Sequence, residues 1–480
     1  MSAWKPIADI AADVNTGRVK AAELVERSLA AIEQHKEYQA IISTLADSAR
    51  SRAKSIDEKV ANGVNAGRLA GVPFIAKDNL LVMGAEATAA SNILKGFVPP
   101  YQSSVINRLE AEGAICVAKA NQDAFGHGAS TENSDFFVTK NPHDKTRVPG
   151  GSSGGPAAAV VLEMAPFAIG TDTGGSIRQP ASYVGCVGLR PTYGLTSRSG
   201  VVAMASSTDT IGPLAMSVAD AAYVFDVYAG KDELDSTTID RDPQGYTLSD
   251  EKTQLKDVKI GIIKEWMGEG LDDDVRESVE KAVRDLKATG AVVEEISIPS
   301  LPLSLAVYYI LIPAEVSSNL ARHDGQRYQF SDQNGADLLE SYTQSRAKGF
   351  GREAKRRIMI GTYVLSSGYY DAYYKQAQTV RTKLIQEFND VLEQYDFLIG
   401  PVAPNAAFKI GENAEDPLKM YLVDMMTVAP ALVGVPAISI PVSPSTQSGM
   451  PIGLQIIAAQ HHDRDLLAFA HAIEKAVGDG

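Results

Sequence analysis

Apolar positions along the chain fall into short runs separated by polar breaks, and the runs switch between two periodicities. Leu24, Val25, Leu29 and Ile32 lie close to one face of a 3.6-residue spiral, which predicts an amphipathic helix packed on a core. Gly113-Ala114-Ile115-Cys116-Val117-Ala118 predicts a short buried strand, and a helix is predicted over 217–227. The second half restarts with a strand over 258–263. A helix follows in which Val275, Val279, Val283 and Leu286 share a face and which stops at Gly290; a strand over 292–298 comes next. A mostly helical region over 303–392 and strands over 396–400, 437–440 and 452–457 complete the pattern. Alternating strands and helices predict an α/β layered architecture. Residues 1–65 read as a helical segment packed on a body spanning 66–480. The acidic stretch 231–256, with Asp240-Arg241-Asp242-Pro243 inside it, reads as a solvated insertion.

Two glycine-rich stretches carry the strongest chemical signal. Gly150-Gly151-Ser152-Ser153-Gly154-Gly155 precedes Gly170-Thr171-Asp172-Thr173-Gly174-Gly175-Ser176. Glycine lets the backbone approach a substrate and aim its N–H groups at one point, so each turn presents a serine beside main-chain donors. A serine hydroxyl is a weak nucleophile near neutral pH and needs a base. Neither turn holds a histidine, and the nearest, His127 and His143, sit in polar stretches and are expected to be solvated. Upstream, Gly71-Val72-Pro73-Phe74-Ile75-Ala76-Lys77 reads as a buried apolar strand ending in a lysine. Burial disfavours the ammonium, moving its pKa from about 10.4 toward the roughly 7 to 8 of a useful general base.

Each element alone has a plainer reading. Ser152 and Ser153 can open the helix that Pro156 and the following alanines predict, Ser176 can be a turn serine, and Lys77 a solvated side chain. Together, in this order, they point to acyl transfer at serine. Asp172 and Arg178 flank the second turn and are expected to pair and hold it.

The G-x-S-x-G pattern at 150–154 also fits a nucleophile elbow, which needs a strand running straight into the turn. Asn141-Pro142-His143-Asp144-Lys145-Thr146-Arg147-Val148-Pro149 precedes it instead, polar and twice interrupted by proline, hence a loop. His461, His462 and His471 surround a polar helix start. No Lys-Ser or Lys-Thr follows the glycines, which excludes a P-loop.

At 480 residues, 45% hydrophobic and 22% charged, the composition is that of a soluble globular chain. The formal charge of −14 repels a polyanion such as RNA, so any nucleic acid is expected to be held by a partner. The absence of an eighteen-residue apolar run and of a signal-peptide core leads to the expectation of a cytoplasmic chain with no membrane segment. Cys116 and Cys186, in apolar surroundings without zinc-type spacing, read as buried hydrophobes, and no metal site is expected.

On the residues of the two glycine turns and the lysine strand, the chain resembles the amidase signature family. That resemblance implies one large α/β/α layered domain on a mixed β-sheet. It also implies a Ser-Ser-Lys triad: Lys77 as base, Ser152 as bridging serine, Ser176 as nucleophile, with the N–H groups of Thr173, Gly174, Gly175 and Ser176 as oxyanion hole. The implied reaction is amide hydrolysis through an acyl-enzyme.

Second-half stretches are similar to the glutaminase (A) subunits of aspartyl/glutamyl-tRNA amidotransferases within that family. They include Gly351-Arg352-Glu353-Ala354-Lys355-Arg356-Arg357, Tyr308-Tyr309 with Glu315, and Tyr421-Leu422-Val423-Asp424. This implies glutamine as substrate, with Arg357 clamping its carboxylate, Asp424 taking its ammonium or amide nitrogen, and Tyr308 offering a hydroxyl. Arg356 is the alternative to Arg357, since helix neighbours point about 100° apart.

Also implied are ammonia delivery to a B subunit that uses ATP and Mg²⁺, a C subunit completing a heterotrimer, and tRNA held mainly by the partner. The acceptor would be Glu-tRNA(Gln), Asp-tRNA(Asn) or both, and this chain itself would carry no cofactor. A stand-alone amidase for small amides and a catalytically silent scaffold of the same fold remain as alternatives. The chain departs from the family pattern at Pro156, where serine is common, and at Asn121-Gln122-Asp123-Ala124-Phe125-Gly126-His127-Gly128, normally richer in methionine. Gln122 and His127 thereby become candidates for altered selectivity.

Overall fold

Eleven strands of one mixed sheet organise this computed structural model, which describes residues 3–248, 253–328 and 330–477. They are β1 Ile41–Thr44, β2 Pro73–Lys77, β3 Ile115–Ala120, β4 Phe167–Asp172, β5 Val187–Arg190, β6 Thr210–Ala215, β7 Lys259–Ile263, β8 Val292–Ile296, β9 Phe397–Pro401, β10 Ala437–Pro441 and β11 Gly453–Ile457. Their spatial order is β1-β3-β2-β4-β6-β5-β10-β11-β9-β7-β8. β3, β2 and β4 run parallel, as do β9, β7 and β8, while the strands from β4 through β9 pair antiparallel.

Side chains alternate across a strand, and in β2 that alternation feeds two cores. Phe74 and Ala76 join Ile7, Val105, Leu109 and Phe225 on one face. Ile75 joins Val25, Ala53, Ala157 and Ala158 on the other. Helices therefore cover both faces, the layered α/β/α arrangement expected from the alternating pattern. A further core, built on Trp266, Leu311, Phe388 and Leu398, packs the second-half helices against the far end of the sheet.

Four strands, β1, β4, β5 and β6, escaped the pattern. β4, β5 and β6 contain Gly170, Gly188, Gly212 and Pro213, residues that read as breakers but here lie in fully buried strands with no room for larger side chains. β1 places part of the N-terminal segment in the sheet itself, antiparallel to β3. The acidic stretch 231–256 is also less solvated than expected. Asp235 pairs with Arg198 at 2.7 Å, and the Tyr246 ring lies 4.5 Å from Phe225 in the core; residues 249–252 of the stretch lie outside the described residues.

Helices α1 Gly154–Val161, α2 Arg178–Val184, α3 Ser304–Asn319, α4 Arg352–Val364 and α5 Pro417–Leu422 frame the site. The stretch Leu301–Arg322 around α3 is long and apolar enough to cross a membrane by composition, at mean hydropathy 1.4, but half of it is buried in the fold.

Candidate active site

β2 and β4 are parallel neighbours with Ala76 opposite Ile169, so their C-terminal ends emerge side by side. In sheets of this kind such strand ends line the ligand crevice. Lys77 closes β2 and, by alternation, projects to the same face as Ile75, the face that α1 covers. Ser152 and Ser153 lie just ahead of α1 and meet it there. The fully buried Lys77 Nζ lies 2.7 Å from Ser152 Oγ, 2.8 Å from Ser153 Oγ, 2.9 Å from Thr171 Oγ1 and 3.4 Å from the Thr171 carbonyl. Burial pulls Lys77 down to about 7, against the opposing pull of Asp123, Asp172 and Asp209. A neutral amine is therefore accessible near pH 7.

Counting protons orients this cluster. The Ser153 hydroxyl donates to the Thr171 carbonyl at 3.1 Å, so toward Lys77 it accepts. Thr171 Oγ1 accepts from Asn79 Nδ2 at 3.1 Å and has a second lone pair for Lys77. Those two acceptors use both N–H groups of a neutral amine, leaving its lone pair for the Ser152 proton. Ser153 sits at the N-cap of α1 yet makes no side-chain cap bond; its hydroxyl serves Lys77 instead.

The loop after β4 is pinned by charge. Arg178 meets Asp172 through two bonds, at 3.0 and 2.9 Å, and Arg190 adds a third at 3.0 Å. Burial alone would raise the Asp172 carboxyl, but the two guanidiniums outweigh it and hold the group well below the usual carboxylate range. Asp172 Oδ1 also accepts the Gly175 N–H at 2.9 Å. That donor is committed, while the N–H groups of Thr173, Gly174 and Ser176 make no hydrogen bond among the described residues. Gly175 has φ +135°, and a Cβ there would lie 2.1 Å from Thr427 Oγ1, so only glycine fits. The Ser176 carbonyl accepts Ser153 N–H at 3.0 Å, which fixes the two serine turns together. Ser176 Oγ itself makes no hydrogen bond among the described residues. In the free chain the Lys77–Ser152 half of the relay is made and the Ser152–Ser176 half is open.

A cavity of about 130 Å³ is lined by Ser130, Tyr309, Glu353, Arg356, Arg357 and Asp424, among others, and none of its lining residues belongs to either serine turn. It is far smaller than the roughly 300 to 1,000 Å³ of drug-sized pockets, which suits a small polar substrate. Arg357 is buried; its Nε donates to Glu353 at 2.9 Å and its guanidinium lies over Tyr309 and Tyr421. Burial opposes its charge, but Tyr309 and Glu353 hold it firmly protonated. Its two terminal nitrogens make no hydrogen bond among the described residues and form an open fork on the cavity. Arg356 also lines the cavity but is more exposed and pairs with Glu353. Asp424, pushed up to about 7 by burial, accepts the Tyr309 hydroxyl at 2.9 Å.

Tyr308 lies against the nucleophile loop, where a Cβ on Gly174 would meet its ring at 2.6 Å, and its hydroxyl makes no hydrogen bond among the described residues. Thr427 Oγ1 donates to the Gly174 carbonyl at 2.6 Å and links the Asp424 segment to the same loop. Tyr309, Glu353, Ser153 and Thr171 were not among the predicted site residues. For Tyr309 the signal was available, since it shares a helix and a dipeptide with Tyr308.

His127 is not solvated. It is fully buried beside Phe125 with both ring nitrogens unpartnered, and burial and Arg357 hold it neutral. Gln122 is likewise buried with its amide unpartnered. His143 is exposed and bonds the Val184 carbonyl at 2.8 Å. Pro156 falls in the first turn of α1, where a missing N–H costs nothing. Cys116 and Cys186 are buried free thiols.

The Amidase family model matches residues 23–467, and the chain belongs to that family. Among its relatives, the A subunit of the Glutamyl-tRNA(Gln) amidotransferase of Geobacillus thermodenitrificans is 48% identical over 459 residues, covering 95% of this chain and 94% of that protein. The protein of the same name from Picosynechococcus sp. is 50% identical over 459 residues, with the same coverage. The crystal structure of the corresponding Glutamyl-tRNA(Gln) amidotransferase A subunit from Thermotoga maritima superposes with a TM-score of 0.79 at 40% identity, covering 95% of this chain and 91% of that one.

Proposed function

We propose that the chain is the glutamine-hydrolysing subunit of a tRNA-dependent amidotransferase and that Lys77, Ser152 and Ser176 are its catalytic residues. The observation that carries this reading is a buried lysine able to lose its proton near pH 7 and bonded to Ser152, together with a cavity that holds a guanidinium fork and a carboxylate and whose wall residue Ser130 packs at Gly151, beside Ser152. An α-amino acid offers the matching carboxylate and ammonium, and its side-chain amide is left to reach Ser176. The relatives' names point to misacylated Glu-tRNA(Gln) as the acceptor of the ammonia; Asp-tRNA(Asn), in place of it or beside it, is the acceptor that the family resemblance adds.

Neutral Lys77 accepts the Ser152 proton as Ser152 accepts that of Ser176, whose Oγ attacks the amide carbon. This needs Ser176 Oγ to turn toward Ser152 once substrate is seated. The N–H groups of Thr173, Gly174 and Ser176 are the donors left for the oxyanion, each worth about 3 to 4 kcal/mol in comparable sites. The proton returns through Ser152 to the amide nitrogen, ammonia leaves, and water releases glutamate by the reverse relay. B and C subunits would receive the ammonia, with ATP and Mg²⁺ used on the partner and tRNA held mainly there.

The test is glutamate release from glutamine by the purified chain with and without its co-expressed partner subunits. Glutaminase activity that rises in the complex is expected. Rapid turnover of simple amides by the isolated chain, with glutamine ignored, would establish the stand-alone amidase instead.

A further inference from the structure

Asp209 has no part in the serine relay, yet it joins both halves of the site. Its buried carboxylate precedes β6; Oδ1 accepts the Thr173 hydroxyl at 2.6 Å, and Oδ2 accepts the N–H groups of Met204 at 2.9 Å and Ala205 at 3.1 Å. Thr173 opens the nucleophile loop. The Met204–Ser207 turn is held in its turn by α3: Asn319 Nδ2 donates to the Met204 carbonyl at 3.1 Å, and Glu315 accepts Ser207 N–H at 3.0 Å. α3 also carries Tyr308 and Tyr309. One carboxylate thus lies between the helix that lines the cavity and the loop that carries Ser176.

We propose that Asp209 is a positioning residue of the hydrolytic centre, anchoring the nucleophile loop through Thr173 and adding its negative charge to the field on Lys77, which meets the same strand end through Thr171. Asp123 and Asp172 favour the Lys77 ammonium as Asp209 does, and what sets Asp209 apart is its bond to the Thr173 hydroxyl. Asp172 is matched by Arg178 and Arg190, and Asp123 commits its oxygens to Thr131 N–H at 2.9 Å and Asn133 N–H at 3.0 Å. Arg190, Arg198, Glu315, Tyr308 and Lys77 lie within electrostatic reach of Asp209, and Asp123 and Asp172 act on Lys77 together with it. Burial pushes Asp209 up to about 6, so it is ionised where Lys77 titrates. Its carboxylate favours the ammonium form of Lys77 and opposes the downward pull of burial.

Asp209→Asn separates charge from shape. The amide oxygen can keep the Met204 and Ala205 bonds, and the Thr173 hydroxyl can reverse and accept from Nδ2, so every hydrogen bond survives without the charge. The proposal rests on the serine-relay reading but not on the choice of substrate. Its test is the pH dependence of Ser176 sulfonylation by phenylmethylsulfonyl fluoride, with intact protein confirmed by thermal melting.

In Asp209→Asn the acid limb is expected to move to lower pH by about half a unit or more, because loss of the anion disfavours the Lys77 ammonium. In Thr173→Val the limb should stay put while the plateau rate falls by about fivefold or more, because the loop loses its anchor. An unmoved limb in Asp209→Asn, or a variant that does not fold, overturns the charge role. An unchanged plateau in Thr173→Val overturns the anchoring role. A protein that sulfonylates with this profile but leaves glutamine intact would sink the substrate assignment alone.

Discussion

The two walls of the site are built on different principles. Around Lys77, strand ends and a helix start bring together groups whose hydrogen bonds are nearly all assigned before any ligand arrives: Ser152, Ser153 and Thr171 on the amine, and Asp172 on Arg178, Arg190 and Gly175 N–H. Around Arg357 and Asp424, helices α3, α4 and α5 and the turn after α5 present an arginine with an open fork, a carboxyl pushed up to about 7 and stacked tyrosines at 4.0 Å. The chemical wall is preorganised, and such preorganisation is where most of the electrostatic rate gain in enzymes arises. The recognition wall is left incomplete, so the ligand supplies the missing partners and is selected by them.

If this division is right, the largest effects belong to the chemical wall. Ser176→Ala is expected to lower glutamine turnover by about 10⁴-fold or more, and Lys77→Met by a similar factor, with cooperative melting retained in both. Lys77 titrates near 7 in the fold against 10.5 as a free side chain, so its active neutral form accumulates as pH rises through about 7. The wild-type kcat should therefore climb through that region and then level off. A pH-independent kcat between 6 and 8, or turnover by Lys77→Met near the wild-type rate, would remove Lys77 as the base and erase the distinction between the walls.

The chemical wall was also the more legible in sequence. Lys77, Ser152 and Ser176 each sit in a local pattern, an apolar run ending in a charge or a glycine turn holding a serine, that needs no knowledge of distant residues. Thr171 was invisible because it reaches Lys77 only through the parallel register of β2 and β4, and the role of Ser153 because it meets Lys77 only through the packing of the α1 start on that sheet face. The expected layered mixed sheet is present, but strands carrying buried glycines broke the alternation on which strand reading depends. On the recognition wall Arg356 and Arg357 both line the cavity, and packing buries Arg357 more deeply than Arg356, a difference of helix phase that periodicity in a basic run does not show. His127 shows the same limit: polar neighbours in sequence suggested solvent, whereas Phe125 and its surroundings enclose it. Asp209 carries no local signal at all.

The recognition wall should respond in affinity rather than in chemistry. Arg357→Lys keeps the charge but loses the planar fork, and a bidentate charged contact is worth about 1.5 to 3 kcal/mol, so KM for glutamine should rise roughly 10- to 150-fold while kcat stays within a few-fold. Sulfonylation of Ser176 by a reagent without a carboxylate should be nearly unaffected. A matching fall in kcat would mean that Arg357 acts on the reacting atoms, and the walls could no longer be treated as separate.

The smallest and most discriminating change is Tyr309→Phe. The Tyr309 hydroxyl donates to Asp424 at 2.9 Å and favours its ionised form, in opposition to the burial that lifts that carboxyl to about 7. Without the hydroxyl the carboxyl should titrate higher still, so at pH 7 a larger share is protonated and unable to receive an ammonium. KM should then rise by about three- to tenfold at pH 7, which is the scale of one lost hydrogen bond. The defect should shrink as pH is raised toward 9, where Asp424 ionises in both proteins. A defect that is constant across pH would assign the tyrosine to packing over Arg357, where its ring would serve equally well as phenylalanine and the hydroxyl would have no part in reading the substrate.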